Sequence, residues 1–128
     1  MARRLMLDSH ALLWWLDRDG PMSADVRSMV DDAFNEVAVS AASIWELGIK
    51  AAQGRIQVPA DLLVELDAME IDVVDVTAIH GEVAAQLPRH HGDPFDRMII
   101  AQALHEDYAV VSADRRFPDY GVAVVSAR

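Results

Sequence analysis

The sequence predicts an α/β fold in which a mostly parallel sheet of about five strands lies between two layers of helices. Three observations support this prediction: the apolar runs with strand character are short, segments with helical spacing separate them, and the chain has 128 residues. Short apolar strands that alternate with helices are typical of parallel sheets covered on both faces. The length fits one hydrophobic core, so residues 1–128 are expected to form a single domain.

The strands are predicted from short runs of apolar residues, several of them β-branched. In chain order these runs are residues 3–7, 37–40, 72–76, 108–112 and 122–125. A tight turn is predicted over residues 114–118, between the last two strands. Asp8 and Asp114 both follow a strand, and the carboxyl ends of strands are where open α/β sheets bind ligands.

The helices are predicted from apolar residues spaced three and four apart and from capping residues at their ends. They are expected over residues 10–17, 23–34, 43–54, 59–69 and 77–87, with a last helix that begins at Asp93. Asp93 can cap this last helix, and Pro94 suits its first position because a missing N–H has no consequence there. Phe95, Met98 and Ile99 mark its buried side.

The composition, with 52% apolar and 25% charged residues, is that of a compact soluble protein. The apolar runs are too short to span a membrane or to form a signal peptide, so we expect a cytoplasmic protein without a membrane partner. The chain has no cysteine, which excludes disulfides and thiolate metal sites. Its net charge of −10 argues against nucleic-acid binding by general basic attraction and would favour a basic protein partner.

Four acidic residues stand at the ends of strands or the beginnings of helices: Asp8, Glu46, Asp96 and Asp114. Each has a structural alternative. Asp8 could cap the helix that follows it, Glu46 could form a capping box with Ser43, Asp96 could complement a helix dipole, and Asp114 could begin a turn.

If these four carboxylates meet, they repel one another unless a divalent cation lies among them. A set of oxygen ligands without cysteine or a histidine cluster favours Mg²⁺ or Mn²⁺ over Zn²⁺. Such a site is typical of enzymes that act on phosphodiesters, because the cation activates water and offsets charge on the phosphate.

Four blocks of the sequence, residues 5–14, 40–50, 93–103 and 110–117, resemble the signature blocks of PIN-domain proteins, and most of all those of VapC-type toxins. The resemblance implies a Mg²⁺- or Mn²⁺-dependent endoribonuclease, the toxin of a toxin–antitoxin pair, with the four acids as its catalytic set. Asp8, Asp96 and Asp114 would be the metal ligands. It also implies a homodimer and an antitoxin that blocks the site, often through a basic residue.

Two further residues of these blocks have supporting roles. Ser112 stands where many relatives carry threonine, and its hydroxyl is expected to orient an acid or a water molecule. Asp93 is a fifth acid at the mouth of the site and is expected to be a helix cap rather than a ligand.

Basic residues beside the acidic blocks are candidates for holding RNA phosphates, although Arg97 could instead pair with a neighbouring acid. They are Arg97, Lys50, Arg115 and Arg116. Trp14, Trp15 and Trp45 are expected to be core or dimer contacts rather than base-stacking residues. His90 and His91 are expected to be solvated loop residues.

The residues argue against two other classes of function. A catalytically silent scaffold of the same fold would not bind metal. The presence of all four acids argues against this class. A phospho-acceptor domain would need an aspartate after the third strand and a lysine after the fifth, but Val76-Thr77 and Ser126-Ala127-Arg128 stand there.

Overall fold

The computed structural model describes residues 2–128, and within this range five strands form one sheet in the order β3-β2-β1-β4-β5. The strands are β1 (Arg4–Leu7), β2 (Glu36–Ser40), β3 (Ile71–Val74), β4 (Ala109–Ser112) and β5 (Val124–Ser126). Each neighbouring pair of strands is parallel. The predicted fold class is confirmed.

Helices connect the strands, as the alternating pattern predicts. They are α1 (Ser9–Leu16), α2 (Ala24–Asp31), α3 (Ala41–Ala52), α4 (Leu62–Ala68), α5 (Ala78–Gln86) and α6 (Pro94–Glu106). A short 3₁₀ helix, Phe117–Tyr120, follows β4 where the sequence predicts the end of a tight turn. The second helix ends at Asp31 rather than at Phe34, whose ring lies outside it and is 84% exposed.

Buried side chains cover both faces of the sheet because successive residues of a strand point to opposite sides. Leu5 and Leu7 belong to one core, which also contains apolar residues of α1 to α4. Met6, between them in the chain, packs in a second core with Ile99 and Ile100 of α6. The sheet is therefore the middle layer of three.

The order of the strands brings the carboxyl ends of β1 and β4 together. The chain moves outward from β1 to β3 and then returns to place β4 on the other side of β1. The backbone N–H of Asp8, just after β1, donates to the carbonyl of Val111 in β4 over 3.1 Å. In open α/β sheets this reversal of strand order opens a crevice beyond the strand ends.

Among residues 2–128, no helix combines the length and the apolar character that a bilayer-spanning segment needs.

Candidate metal centre

Asp8 occupies the turn between β1 and α1 and is almost fully buried, with 4% exposure. Its Oδ1 accepts a hydrogen bond from the backbone N–H of Ala11 over 2.7 Å, so the predicted capping role is present. Burial raises the pKa of the Asp8 carboxyl above its ordinary value, although hydrogen bonds from Ser112 and the Ala11 backbone oppose this rise. One carboxylate oxygen thus caps a helix while the group as a whole faces the crevice.

Asp96 lies in the first turn of α6, and its side chain is 17% exposed. Burial, and after it the negative charge of nearby carboxylates, raises the pKa of Asp96 to about 7. Those carboxylates are Asp93, Asp8, Glu46 and Asp114. Asp96 therefore lies within electrostatic range of the other three predicted acids and of Asp93.

Asp114 follows β4 by two residues and is held by its own neighbours. The Arg116 guanidinium donates to both carboxylate oxygens, at 3.0 and 2.7 Å, and this pairing holds the pKa of Asp114 below its ordinary value. The buried Ser112 hydroxyl accepts the backbone N–H of Asp114 over 3.0 Å. Ser112 therefore fixes the backbone that presents this acid, next to Asp8.

Glu46 projects from α3 and is 5% exposed. Its Oε1 accepts the Ser9 hydroxyl over 2.6 Å, and its Oε2 pairs with the Lys50 ammonium over 3.0 Å. The capping-box alternative is wrong, because α3 begins at Ala41 and its cap is Ser40, which accepts from the Ala42 N–H. Glu46 is thus free of a capping role and lies within electrostatic range of Asp96.

A cavity of about 350 Å³ opens at this edge of the sheet. Its lining includes three of the four predicted acids together with Asp93: Asp8, Asp93, Asp96 and Asp114. Glu46 lines the neighbouring recess, of which Asp93 also forms a wall. The structure therefore places three of the four predicted acids on one cavity and Glu46 in the recess beside it.

Asp93 caps α6: its Oδ1 accepts the backbone N–H groups of Phe95 and Asp96 over 2.9 and 3.2 Å. We expect Asp93→Ser to leave stability almost unchanged, since serine caps equally well, and Asp93→Ala to lower the free energy of unfolding by about 1 kcal/mol. Urea denaturation of both variants measures this difference. Equal stability of the two variants would contradict the capping role.

The three arginines predicted to hold RNA phosphates differ in their surroundings. The Arg97 guanidinium points into the protein and donates to the carbonyls of Pro88, Ala84 and Leu87 at 2.8–3.0 Å. These bonds hold the loop before α6, and they differ from the predicted alternative, which was an ion pair with a neighbouring acid. Arg115 and Arg116 are exposed at the mouth of the site.

The prediction that His91 is a solvated loop residue is wrong. Its side chain is only 4% exposed, and Nε2 lies 3.4 Å from Oδ2 of Asp96. His90, in contrast, is exposed as expected. His10 and Arg128 also line the cavity, the latter because β5 ends at the same edge as β1 and β4.

The donor set suits a divalent cation. Among residues 2–128, His91, Asp96 and Asp114 each offer a ligand atom, and these atoms lie within 4.8 Å of one another. Asp8 adds a buried carboxylate on the same cavity. Burial raises the pKa of Asp8 and of Asp96, and a bound cation would stabilise the ionised form of both carboxyls.

The sequence pattern of the PIN domain family matches residues 5–123, nearly the whole of the fold described above. The chain therefore belongs to the PIN domain family, and the resemblance stated from its sequence blocks is confirmed.

Individual relatives agree with this assignment. Ribonuclease VapC22 of Mycobacterium tuberculosis is 35% identical over 115 residues, which are 88% of this chain and 88% of that protein. VapBC2 from Rickettsia felis, in a crystal structure with a promoter DNA fragment, has a TM-score of 0.71 at 14% identity and covers 95% of this chain and 97% of that one. A toxin–antitoxin complex from Klebsiella pneumoniae has a TM-score of 0.68 at 15% identity, with coverage of 97% and 98%. At these identities the two structures show a shared fold.

Proposed function

We propose that this protein is a divalent-metal-dependent endoribonuclease and the toxin of a toxin–antitoxin pair. The observation that supports the proposal is that Asp8, Asp96 and Asp114 line one cavity, with Glu46 in the neighbouring recess. Burial and the charges of nearby carboxylates raise the pKa of Asp96 to about 7. The similarity to Ribonuclease VapC22 supports RNA as the substrate.

The acids have distinct roles in this proposal. Asp8, Asp96 and Asp114 would hold Mg²⁺ or Mn²⁺, which supplies activation of water and stabilisation of negative charge on the phosphate. Glu46, fixed by Ser9 and Lys50, would orient the attacking water, and Ser112 would keep Asp114 in place. If water is the nucleophile, the RNA 2′-hydroxyl need not take part in the reaction.

Basic side chains around the acids would offset the repulsion between RNA and a chain of net charge −10. Arg115 and Arg116 are exposed beside Asp114, and Lys50 stands over Glu46. Arg128 extends this rim, with its guanidinium 4.9 Å from the centre of the Trp14 ring. Arg97 is the weakest of the candidates because its donors are used within the protein.

An apolar surface beside the acidic cavity supports the proposal that protein partners bind here. Trp45 is 67% exposed and meets Phe95 edge to face at 5.4 Å. A cavity of about 660 Å³ lies along these rings and is lined almost wholly by apolar residues. Exposed aromatic side chains in such patches are typical of protein interfaces, here with an antitoxin or a second copy of the chain in a homodimer.

Incubation of the purified chain with total RNA tests the proposed activity. We expect new 5′ ends in the presence of Mg²⁺ or Mn²⁺, none with excess chelator, and recovery when the metal is restored. Sequencing of the ends identifies the cleaved sites, and 5′-phosphate ends identify water as the nucleophile, because attack by the 2′-hydroxyl leaves a 5′-hydroxyl.

A scaffold protein of the same fold gives a different result. It would leave RNA intact under all these conditions and would release no heat on titration with Mn²⁺. Either cleavage that survives chelation or the absence of both cleavage and metal heat would overturn the proposal.

A further inference from the structure

His91, in the loop that precedes α6, places a buried nitrogen near Asp96 and Asp114, two of the residues that line the acidic cavity. The side chain is 4% exposed, and Nε2 lies 3.4 Å from Oδ2 of Asp96. Within residues 2–128 this nitrogen has no hydrogen-bond partner. A buried polar atom without a partner destabilises the folded state. A cation or a proton shared between Nε2 and the Asp96 carboxylate would remove this cost.

The opposite nitrogen of the ring is fixed by Tyr120. Its hydroxyl lies 2.6 Å from Nδ1 of His91, accepts the His91 backbone N–H over 3.1 Å and lies 3.4 Å from the His91 carbonyl, to which it can donate. These bonds are satisfied together when Nδ1 carries a proton and donates it to the tyrosine oxygen. That tautomer leaves a lone pair on Nε2, directed toward Asp96.

A lone pair and a carboxylate oxygen repel each other unless a positive charge separates them. The ligand atoms of His91, Asp96 and Asp114 lie within 4.8 Å of one another, which is a spacing that one cation can bridge. Histidines that bind metals commonly donate their other ring N–H to an oxygen, as His91 does to Tyr120 in this tautomer. The Phe117 ring lies edge to face with the imidazole at 6.2 Å between ring centres, and the Tyr120 ring lies tilted against it at 5.5 Å.

We propose that His91 Nε2 is a nitrogen ligand of the cation held by Asp96 and Asp114, and that Tyr120 orients its ring. This inference rests on the metal site of the proposed function. It also gives the site a preference that carboxylates alone would not give. Mg²⁺ is a hard cation that favours oxygen, whereas first-row transition ions accept imidazole more readily, so His91 favours Mn²⁺ over Mg²⁺.

Pulsed electron paramagnetic resonance of Mn²⁺ bound to tag-free protein tests this ligand directly. We expect one bound Mn²⁺ with the ¹⁴N coupling of a coordinated imidazole. His91→Gln should remove the coupling and weaken Mn²⁺ binding by about tenfold or more in calorimetry, with a smaller effect on Mg²⁺. Tyr120→Phe should retain the coupling and weaken Mn²⁺ binding by about tenfold, because it removes only the orienting hydroxyl.

His90→Gln is the matched control, since it removes an exposed imidazole from the same loop and should leave both the coupling and the affinity unchanged. Bound Mn²⁺ without nitrogen coupling in the unmodified protein would overturn the inference and leave the proposed function standing. His91 Nε2 and the Asp96 carboxylate would then share a proton. If the unmodified protein binds no Mn²⁺, or if Asp96→Asn binds Mn²⁺ equally well, the metal site itself would be overturned. The coupling is measured on the unmodified protein, so a variant that fails to fold does not affect this decision.

Discussion

Asp8→Asn and Asp96→Asn are each expected to reduce metal-dependent RNA cleavage by on the order of 10³-fold while the protein remains folded. Each change removes one negative charge from the cavity and replaces a carboxylate oxygen by an amide group. A catalytic cation supplies several kcal/mol of stabilisation to a phosphodiester transition state, and about 1.4 kcal/mol corresponds to a factor of ten in rate. Initial cleavage rates at saturating Mg²⁺ or Mn²⁺, with circular dichroism to verify folding, measure the effect.

Asp8→Asn separates the two roles of this residue. Asparagine caps a helix as well as aspartate does, so its side-chain oxygen can still accept the Ala11 N–H. If capping were the whole function of Asp8, the variant would retain full activity. Asp119→Asn makes the same change of charge at an exposed position on the 3₁₀ helix and should cleave RNA at the normal rate. Near-normal cleavage by purified Asp8→Asn or Asp96→Asn would contradict the proposed site.

The sequence was sufficient to predict the sheet and the edge at which the site lies. Strands of three to five mostly apolar residues could be recognised because helices with clear caps separate them, such as Asp93-Pro94 before α6. Element ends were less predictable. Val122 stands in the predicted last strand, but β5 begins at Val124, because the 3₁₀ helix and Gly121 in the left-handed region precede it.

The candidate site was predictable as a set of acids but not as a set of contacts. Asp8 and Asp114 follow strands whose carboxyl ends are adjacent in the sheet, which a pattern of alternating elements suggests. The burial of His91 was not predictable, because it depends on Tyr120, which lies 29 residues further along the chain. The inward position of Arg97 likewise depends on carbonyls of the preceding loop, whose path no local pattern specifies.

Asp96 connects the charge of the site to the stability of the metal-free protein. Charged groups surround it from the strand ends, from α3 and from its own loop. They are Asp8, Asp114, Glu46, Asp93, His91 and Arg116. The carboxylates outnumber the cationic groups, so in the absence of a cation the ionised form of Asp96 is unfavourable in the folded state.

The free energy of unfolding of the metal-free protein is therefore expected to fall as the pH rises from about 4 to about 7. The pKa of Asp96 is about 7 in the folded protein and 3.8 without the fold, so the folded state binds an extra proton between these values. The contribution of Asp96 is complete below the lower pKa and is lost by the upper one. Solvent screens part of this charge, so the expected loss is about 2 kcal/mol rather than the ~4 kcal/mol of the full shift.

Denaturation in urea with chelator, at intervals from pH 4 to 8, measures this dependence in the unmodified protein, in Asp96→Asn and in the Asp119→Asn control. Asp96→Asn should be more stable than the unmodified protein at pH 8, where Asp96 is ionised, and close to it at pH 4, where Asp96 is protonated. The difference between the two proteins isolates the titration of Asp96 from those of the histidines. A bound divalent cation replaces the proton, so Mn²⁺ should stabilise the unmodified protein increasingly as the pH rises and should have little effect on Asp96→Asn. If the free energies of unfolding of the unmodified protein and Asp96→Asn change in parallel with pH, the pKa of Asp96 is not raised by its neighbours. That result would contradict the electrostatic argument for the metal centre.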